Sequence, residues 1–161
     1  MSDIETVNKL IRSYGDHLRV HGAQLDANND RSFGDCGFHY DPIRRELTGR
    51  VFIVKLDSDL MNPELVDRAK HAMAELNGPK IVPLFERVGG RFEFEPTKDI
   101  LFLKKDFPLQ TSERELLKQM DELSDVGAKW VFRWYGWAMQ IIYGTSNPPH
   151  PPVPVTRQND T

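Results

Sequence analysis

The chain has 161 residues, of which 39% are hydrophobic and 28% are charged, as in one globular domain with a single core. Its formal charge of −3 provides no basic field that would gather phosphates, so the whole chain has no electrostatic basis for non-specific nucleic-acid binding. The strongly apolar stretch from Trp130 to Tyr143 is shorter than the ~20 residues that cross a bilayer. With a single cysteine and an acidic, polar beginning, we expect a cytoplasmic protein without a disulfide, signal peptide or membrane segment.

The first part of the chain predicts a helix, a loop and a β-hairpin. Apolar residues at helical spacing predict a helix from about Asp3 to Val20. Residues 22–37 (GAQLDANNDRSFGDCG) are rich in Asp, Asn, Ser and Gly, whose side chains compete with regular ladders, so this segment is interpreted as a loop. Two strands, over about 36–41 and 47–56, are expected to pair as a hairpin around Pro42.

A second helix is predicted over residues 62–77 from its end signals. Asn62 is the expected N-cap, Pro63 occupies the first helical position, and Asn77 with Gly78 forms the stop. The segments KIVPLFERV, RFEFE and ILFLKKDF follow, with turns at Gly89-Gly90 and at residues 96–99. They predict a three-stranded antiparallel meander.

A third helix is predicted from Thr111 or Ser112, where Ser112 and Glu115 have capping-box spacing, to about Ile142. Five prolines then crowd into seven positions, which favours an extended tail. We therefore predict a single α+β domain over residues 1–144 and a disordered Pro-rich tail over 145–161. Its expected order is helix, hairpin, helix, meander, helix, with a mostly antiparallel sheet and helices packed on it.

All three tryptophans lie within the segment KWVFRWYGWAMQII, on the third helix. They continue a stripe that recurs at alternating steps of four and three and includes Leu116, Met120, Leu123, Gly127, Trp130, Trp134, Trp137 and Ile141. A stripe of this kind is typical of a core-facing helix, and three buried tryptophans would supply much of the core of a small domain. We therefore favour core packing over direct stacking of the tryptophans on a nucleobase or cofactor.

Phe132, Met139 and Tyr143 lie on the side opposite the tryptophan stripe, so the end of this helix is apolar nearly all round. Such a helix is either enclosed by its own domain or covered by another chain. We predict a protein-binding or dimer interface here, either a homodimer seam or a groove for a polypeptide client. Its candidate residues are Trp130, Phe132, Trp134, Trp137, Met139 and Tyr143.

Candidate chemistry is confined to His17, His21, Cys36 and His39. The two histidines of the first helix are four apart, a spacing that lets two imidazoles meet one metal ion. Cys36 and His39 could suggest a thiol with its base, but they are three apart on a strand, which points their side chains to opposite faces. We therefore predict a protein without enzymatic activity, metal or cofactor. The alternative is a small ligand- or metal-binding domain or enzyme with a site near these four residues.

The segment GGRFEFEPTKDILFLKKDFPLQTSERELLKQMDELSDVGAKWVFRW, residues 89–134, resembles the type III secretion chaperone-like superfamily, including its YbjN-type sensory-transduction-regulator branch. The second half of that family's chain runs strand, turn, strand, a short link and a helix with spaced leucines ending near a tryptophan. Here those places are filled by Phe107-Pro108-Leu109, Leu116, Leu117, Leu123 and Trp130. As a pattern of elements the resemblance covers roughly residues 1–134. It implies a bacterial, non-enzymatic, often dimeric protein that holds another polypeptide along apolar grooves.

Overall fold

The computed structural model describes residues 1–55, 64, 67, 71, 90–95 and 97–143; at residue 135 and over 137–143 the description covers the backbone alone. Within these ranges the helices are α1 (Asp3–His17) and α2 (Glu113–Tyr143). The strands are β1 (Asp30–Phe33), β2 (Cys36–Asp41), β3 (Glu46–Lys55), β4 (Arg91–Glu95) and β5 (Ile100–Phe107). They form one antiparallel sheet in the order β1-β2-β3-β5-β4, which confirms the predicted α+β class.

Two predicted elements lie outside the described residues: the strand at 80–88 and most of the helix at 62–77. Glu64, Asp67 and His71, the described residues within that helix, are helical. The predicted tail, residues 145–161, also lies outside the described part. In the ranges that the structure does describe, no helix is long and apolar enough to span a membrane.

The predicted loop over residues 22–37 contains a strand, β1, which pairs antiparallel with β2. Gly34 takes a left-handed φ of 65° in the tight turn between the two strands, a conformation that glycine adopts without strain. Phe33 anchors β1, because its ring lies edge-on to Tyr14 at 5.5 Å. The loop interpretation was wrong here. It rested on polar residues such as Asp30 and Ser32, but polar side chains are tolerated on an edge strand.

The free side of β1 is engaged by the loop before it. Asp26 Oδ1 accepts hydrogen bonds from the N–H groups of Asn28 at 2.8 Å and of Asp30 at 3.0 Å. The Asp26 N–H donates to the carbonyl of Asp30 at 2.9 Å. One residue of the loop therefore bonds both main-chain groups of Asp30.

The chain divides into two compact units, of which the first contains Met1–Val51 and Lys104–Ser124. In this unit α1 begins with a capping box: Ser2 Oγ accepts from the Glu5 N–H at 3.2 Å, while the Ser2 N–H donates to Glu5 Oε2 at 3.4 Å. The helix ends at His17 rather than at the predicted Val20, because Arg19 enters the left-handed region with a φ of 64°. Arg45 holds the hairpin turn to α1 through a bidentate contact with Asp3, at 2.7 and 3.0 Å.

Gly49 of β3 marks the closest packing in the first unit. A Cβ at this position would overlap Met120 Sδ and lie 2.9 Å from the Phe107 ring. Met120 and Phe107 are themselves buried, so neither can retreat into solvent. The missing side chain of Gly49 therefore allows α2 and the sheet to approach each other here.

The second unit contains Phe52–Leu103 and Asp125–Thr161, of which residues 52–55, 90–95, 97–103 and 125–143 are described, with Glu64, Asp67 and His71. Burial alternates along β3, where Ile53 is buried and its neighbours Phe52 and Val54 are half-buried. Phe52 meets Phe102 of β5 edge-to-face at 6.3 Å. Phe92 of β4 is buried and takes part in the aromatic contact with α2 that is described next.

Candidate protein-interaction surface

The predicted stripe of α2 is buried wherever its side chains are described. In the first unit it buries Leu116, Met120 and Leu123, and in the second Trp130 and Trp134, which are 5% and 0% exposed. The core interpretation of these two tryptophans is thereby confirmed. Neither presents a free ring face on which a base or cofactor could stack.

Trp130 is held on two sides within the second unit. Its ring lies edge-to-face with Phe92, with centroids 5.3 Å apart and planes at 86°. The guanidinium carbon of Arg133, one turn further along α2, lies 4.6 Å from the Trp130 ring centroid. Aromatic and cation–π contacts of this geometry each contribute about 0.5–1.5 kcal/mol beyond the burial itself. Trp130 is therefore a fixed support for the residues beside it.

Phe132 lies on the opposite side of the same helix and is 77% exposed. One turn before it stands Ala128, which is also exposed, and one turn after it stands Gly136. A Cβ built on Gly136 would meet open space. Because both neighbours at helical spacing are small, the Phe132 ring projects from α2 without a larger side chain beside it on these two sides.

Two cations accompany this ring. Lys129 precedes Phe132 by three residues, Arg133 follows it directly, and both are exposed. Among the described residues neither forms an ion pair. The nearest acid on this side of α2, Asp125, lies about 10 Å from Phe132 and about 6 Å from Lys129 along the helix axis. We call the group Ala128, Lys129, Phe132, Arg133 and Gly136 the Phe132 surface.

The structure describes the side chains of three of the six residues predicted for an interface. Of these three, Phe132 is exposed. Trp130 and Trp134 are one turn apart and buried, so they lie behind the Phe132 surface and not on it. Trp137, Met139 and Tyr143 belong to α2, but their side chains lie outside the described part of the structure. Lys129, Arg133 and Gly136 were not predicted as interface residues.

Ile43 is a second exposed apolar side chain, 92% exposed at the tip of the β2–β3 turn. Asp41 Oδ1 accepts hydrogen bonds from the N–H groups of Ile43 at 2.9 Å and Arg44 at 3.2 Å, which fixes the turn. The sequence signal for this turn is its Asp-Pro start, but nothing in the pattern indicates the exposure of the isoleucine. Its sequence neighbours are Pro42 and Arg44, so it is an isolated apolar side chain.

The alternative site is not assembled by the fold, because each histidine contacts a separate carboxylate. The three pairs are His17 Nε2 with Asp121 Oδ2 at 3.2 Å, His21 Nδ1 with Asp16 Oδ1 at 2.9 Å, and His39 Nδ1 with Asp30 Oδ1 at 2.8 Å. Within the described part of the chain no three His, Cys, Asp or Glu side chains are grouped as metal ligands. These histidines are exposed, and each is hydrogen-bonded to its own carboxylate.

Cys36 lies on the core side of β2, away from His39. Its Sγ is 3.4 Å from the Tyr14 hydroxyl and donates to the Phe33 carbonyl at 3.4 Å. Phe38 is buried and His39 exposed, which confirms that the strand points Cys36 and His39 to opposite faces. Burial raises the pKa of the Tyr14 hydroxyl, and its hydrogen bond with Cys36 raises it further. The thiol and the imidazole therefore cannot act on one substrate atom.

An open cleft of about 500 Å³ lies in the first unit between the beginnings of α1 and α2. Four of its polar side chains are engaged within the fold. Thr6 donates to the Ser2 carbonyl, Ser112 Oγ accepts from the Glu115 N–H at 3.1 Å, and Lys9 lies 3.9 Å from Glu113. These four side chains therefore already have partners, whereas a small-molecule site offers polar groups that converge on the ligand.

No family model matches the sequence, and no curated protein matches it. Among solved structures, a chain of the ExsC–ExsE complex matches with a TM-score of 0.58 at 14% identity, over 82% of this chain and 96% of that one. A chain of the HopA1–SchA chaperone–effector complex matches with a TM-score of 0.54 at 11% identity, over 82% and 99%. At these identities the likeness concerns the fold. The fold is similar to that of these two chains, one of them from a chaperone–effector complex, which agrees with the chaperone-like fold that the sequence resemblance implies.

Proposed function

We propose that this protein is a non-enzymatic, chaperone-like module that binds a polypeptide partner through the Phe132 surface. The observation that carries the proposal is the 77% exposure of Phe132 on a helix whose opposite side is buried. An exposed aromatic ring on a rigid helix is the kind of anchor that dominates protein interfaces. Trp137, Met139 and Tyr143 stay predicted interface residues.

The support beneath Phe132 favours binding. Trp130 is held by Phe92 and Arg133, and Trp134 is fully buried, so the helical turn that carries Phe132 is anchored from behind. A surface that is already ordered loses little conformational entropy when a partner docks. Covering the Phe132 ring would contribute about 1.5–3 kcal/mol, which corresponds to roughly 10–150-fold in affinity.

The two structurally similar chains come from assemblies of two proteins, ExsC with ExsE and the chaperone–effector pair HopA1 and SchA. A protein partner is therefore the class of ligand that we propose for this chain. The predicted homodimer, the cytoplasmic location and the YbjN-type branch stay predictions. Light scattering on the purified protein measures the first of these directly.

The proposal is tested with Phe132→Asp and a matched control, Ile43→Asp. Each substitution places a carboxylate on an exposed apolar position, and the two positions lie on different units. Peptides selected from a displayed random library on the wild-type protein should lose binding to Phe132→Asp and keep it with Ile43→Asp. Selected peptides that bind both variants as tightly as the wild type would show that the Phe132 surface is not the binding site.

A further inference from the structure

The charges around Phe132 indicate the chemistry of its partner. Lys129, one turn before Phe132, and Arg133, directly after it, are exposed, and neither has a carboxylate partner among the described residues. In the sequence, no Asp or Glu occurs from Val126 to Asn159, although the whole chain carries a formal charge of −3. The Phe132 surface is thus a local positive region on an otherwise acidic chain.

The charges close to Phe132 determine which partner is attracted, because salt screens the charges farther away. At physiological ionic strength the Debye length is about 8 Å, so the acidic residues elsewhere in the chain act weakly at this surface. The nearest acid on the same side of α2, Asp125, lies about 10 Å from Phe132 and about 6 Å from Lys129 along the helix axis. It therefore offsets part of the Lys129 charge, and no acid of α2 lies as close to Arg133. A partner that contacts Phe132 is therefore influenced mainly by Lys129 and Arg133.

Arg133 is also positioned for a carboxylate. Its guanidinium lies 4.6 Å from the buried Trp130 ring, which limits where this flexible side chain can go. A guanidinium that uses its face on a ring keeps its N–H edge for a carboxylate, and this edge matches two carboxylate oxygens. Part of the ordering that a charged contact requires is thereby already complete.

We infer that the Phe132 surface binds an acidic segment of a partner polypeptide, with an apolar side chain against Phe132 and carboxylates against Lys129 and Arg133. This inference rests on the proposed function and specifies the partner of the same surface. An apolar anchor between charge pairs provides both affinity and orientation.

Two other occupants fit the observations less well. A second copy in a symmetric contact would present the same patch, bringing two further cations and, between residues 126 and 159, no acid to pair with them. An anionic membrane is typically bound by clusters of about four to eight Lys and Arg side chains, whereas this surface has Lys129 and Arg133. Trp130 and Trp134, which could have entered a bilayer interface, are buried in the protein.

The test starts from peptides that are selected on the wild-type protein from a displayed random library and that lose binding to Phe132→Asp. Each enriched peptide is synthesised with a twin in which every Asp is Asn and every Glu is Gln. Dissociation constants are measured by fluorescence anisotropy at low and high salt. The proteins are the wild type, the double variant Lys129→Gln/Arg133→Gln, and the control Lys118→Gln, an exposed lysine several turns away on α2.

We expect acidic peptides with an apolar anchor. The amide twin, the double variant and high salt should each weaken binding about tenfold, and Lys118→Gln should leave it unchanged. Arg133→Lys distinguishes the effect of the positive charge from that of the contact with Trp130, because it keeps the cation and removes the guanidinium. It should bind more tightly than Arg133→Gln.

Other results would overturn the inference. Phe132-dependent peptides that bind as well in their amide form would refute the acidic partner and leave the proposed function intact. The absence of any Phe132-dependent peptide would refute both. A dimer in light scattering that Phe132→Asp dissociates would identify a second copy as the occupant, and co-sedimentation with phosphatidylserine vesicles that the double variant abolishes would identify a membrane.

Discussion

Trp130 and Phe132 are two residues apart on α2, yet the structure predicts opposite consequences when each is replaced by alanine. Trp130 is 5% exposed and contacts Phe92 and Arg133, so Trp130→Ala leaves a cavity and removes an aromatic pair. A buried tryptophan removes about 150–250 Å² from water, and its truncation costs about 3–5 kcal/mol. In a small domain this is a large part of the total stability.

Phe132→Ala should be nearly neutral for folding. Because 77% of Phe132 is exposed, about a quarter of the residue is covered, which contributes about 1 kcal/mol. Alanine recovers roughly 0.5 kcal/mol of this through its higher helix propensity. The net loss is about 0.5 kcal/mol, several times smaller than the loss expected for Trp130→Ala.

Urea unfolding followed by far-UV circular dichroism measures both effects, since the helical signal does not depend on the tryptophan that is removed. The midpoint should fall strongly for Trp130→Ala and hardly for Phe132→Ala, with the same slope m for both. Equal losses for the two variants would contradict the division of α2 into a buried and an exposed side. A loss of less than about 1 kcal/mol for Trp130→Ala would contradict its burial.

Three further predictions concern packing and pH. Gly49→Ala should destabilise the protein by about 1–3 kcal/mol, because the added Cβ overpacks against Met120. Gly136→Ala should stabilise it by up to about 1 kcal/mol, because its Cβ meets open space in a helix. Thermal unfolding should therefore show a lower midpoint for the first variant and a higher midpoint for the second. The hydrogen bond from Arg45 lowers the pKa of Asp3 in the folded protein. The contribution of the Asp3 carboxylate to stability is therefore present above its unfolded pKa of 3.8 and is lost as the pH falls through its lower folded pKa. Asp3→Asn should remove this pH dependence of stability from the acid-unfolding curve. Burial raises the pKa of the Tyr14 hydroxyl above its ordinary value of 10.0. The contribution of the neutral hydroxyl to stability is therefore present below pH 10.0 and is lost as the pH rises further. Because Tyr14→Phe has no hydroxyl to ionise, it should unfold less readily in alkali than the wild type.

The sequence carries enough information for the elements whose signal is local. The 4-and-3 spacing of Leu116, Met120 and Leu123 predicts the buried side of α2, and the hydrogen bond from the Glu115 N–H to Ser112 confirms the predicted beginning of that helix. The β2 and β3 strands likewise lie within one residue of their predicted ends. In each case the periodicity or the cap is a property of neighbouring residues.

Features that depend on distant residues could not be predicted in this way. The β1 strand is anchored by the packing of Phe33 against Tyr14 of α1. The polar residues before Phe33 do not show the alternating apolar pattern that predicts a strand. The end of α1 depends on a left-handed Arg19, a position where sequence patterns look for glycine. The exposure of Phe132 was expected from the helix, but the stacking of Arg133 on Trp130 depends on how Trp130 is held against β4.

The bonds between Asp26 and Asp30 have a consequence for how this protein behaves when concentrated. An exposed sheet edge is a template on which another chain can add a strand, and the four-residue β1 is such an edge. Because Asp26 engages both the N–H and the carbonyl of Asp30, an incoming strand would have to displace this loop before it could pair there. The loop thus covers the outward main-chain groups of Asp30 and hinders chain-to-chain extension at this end of β1.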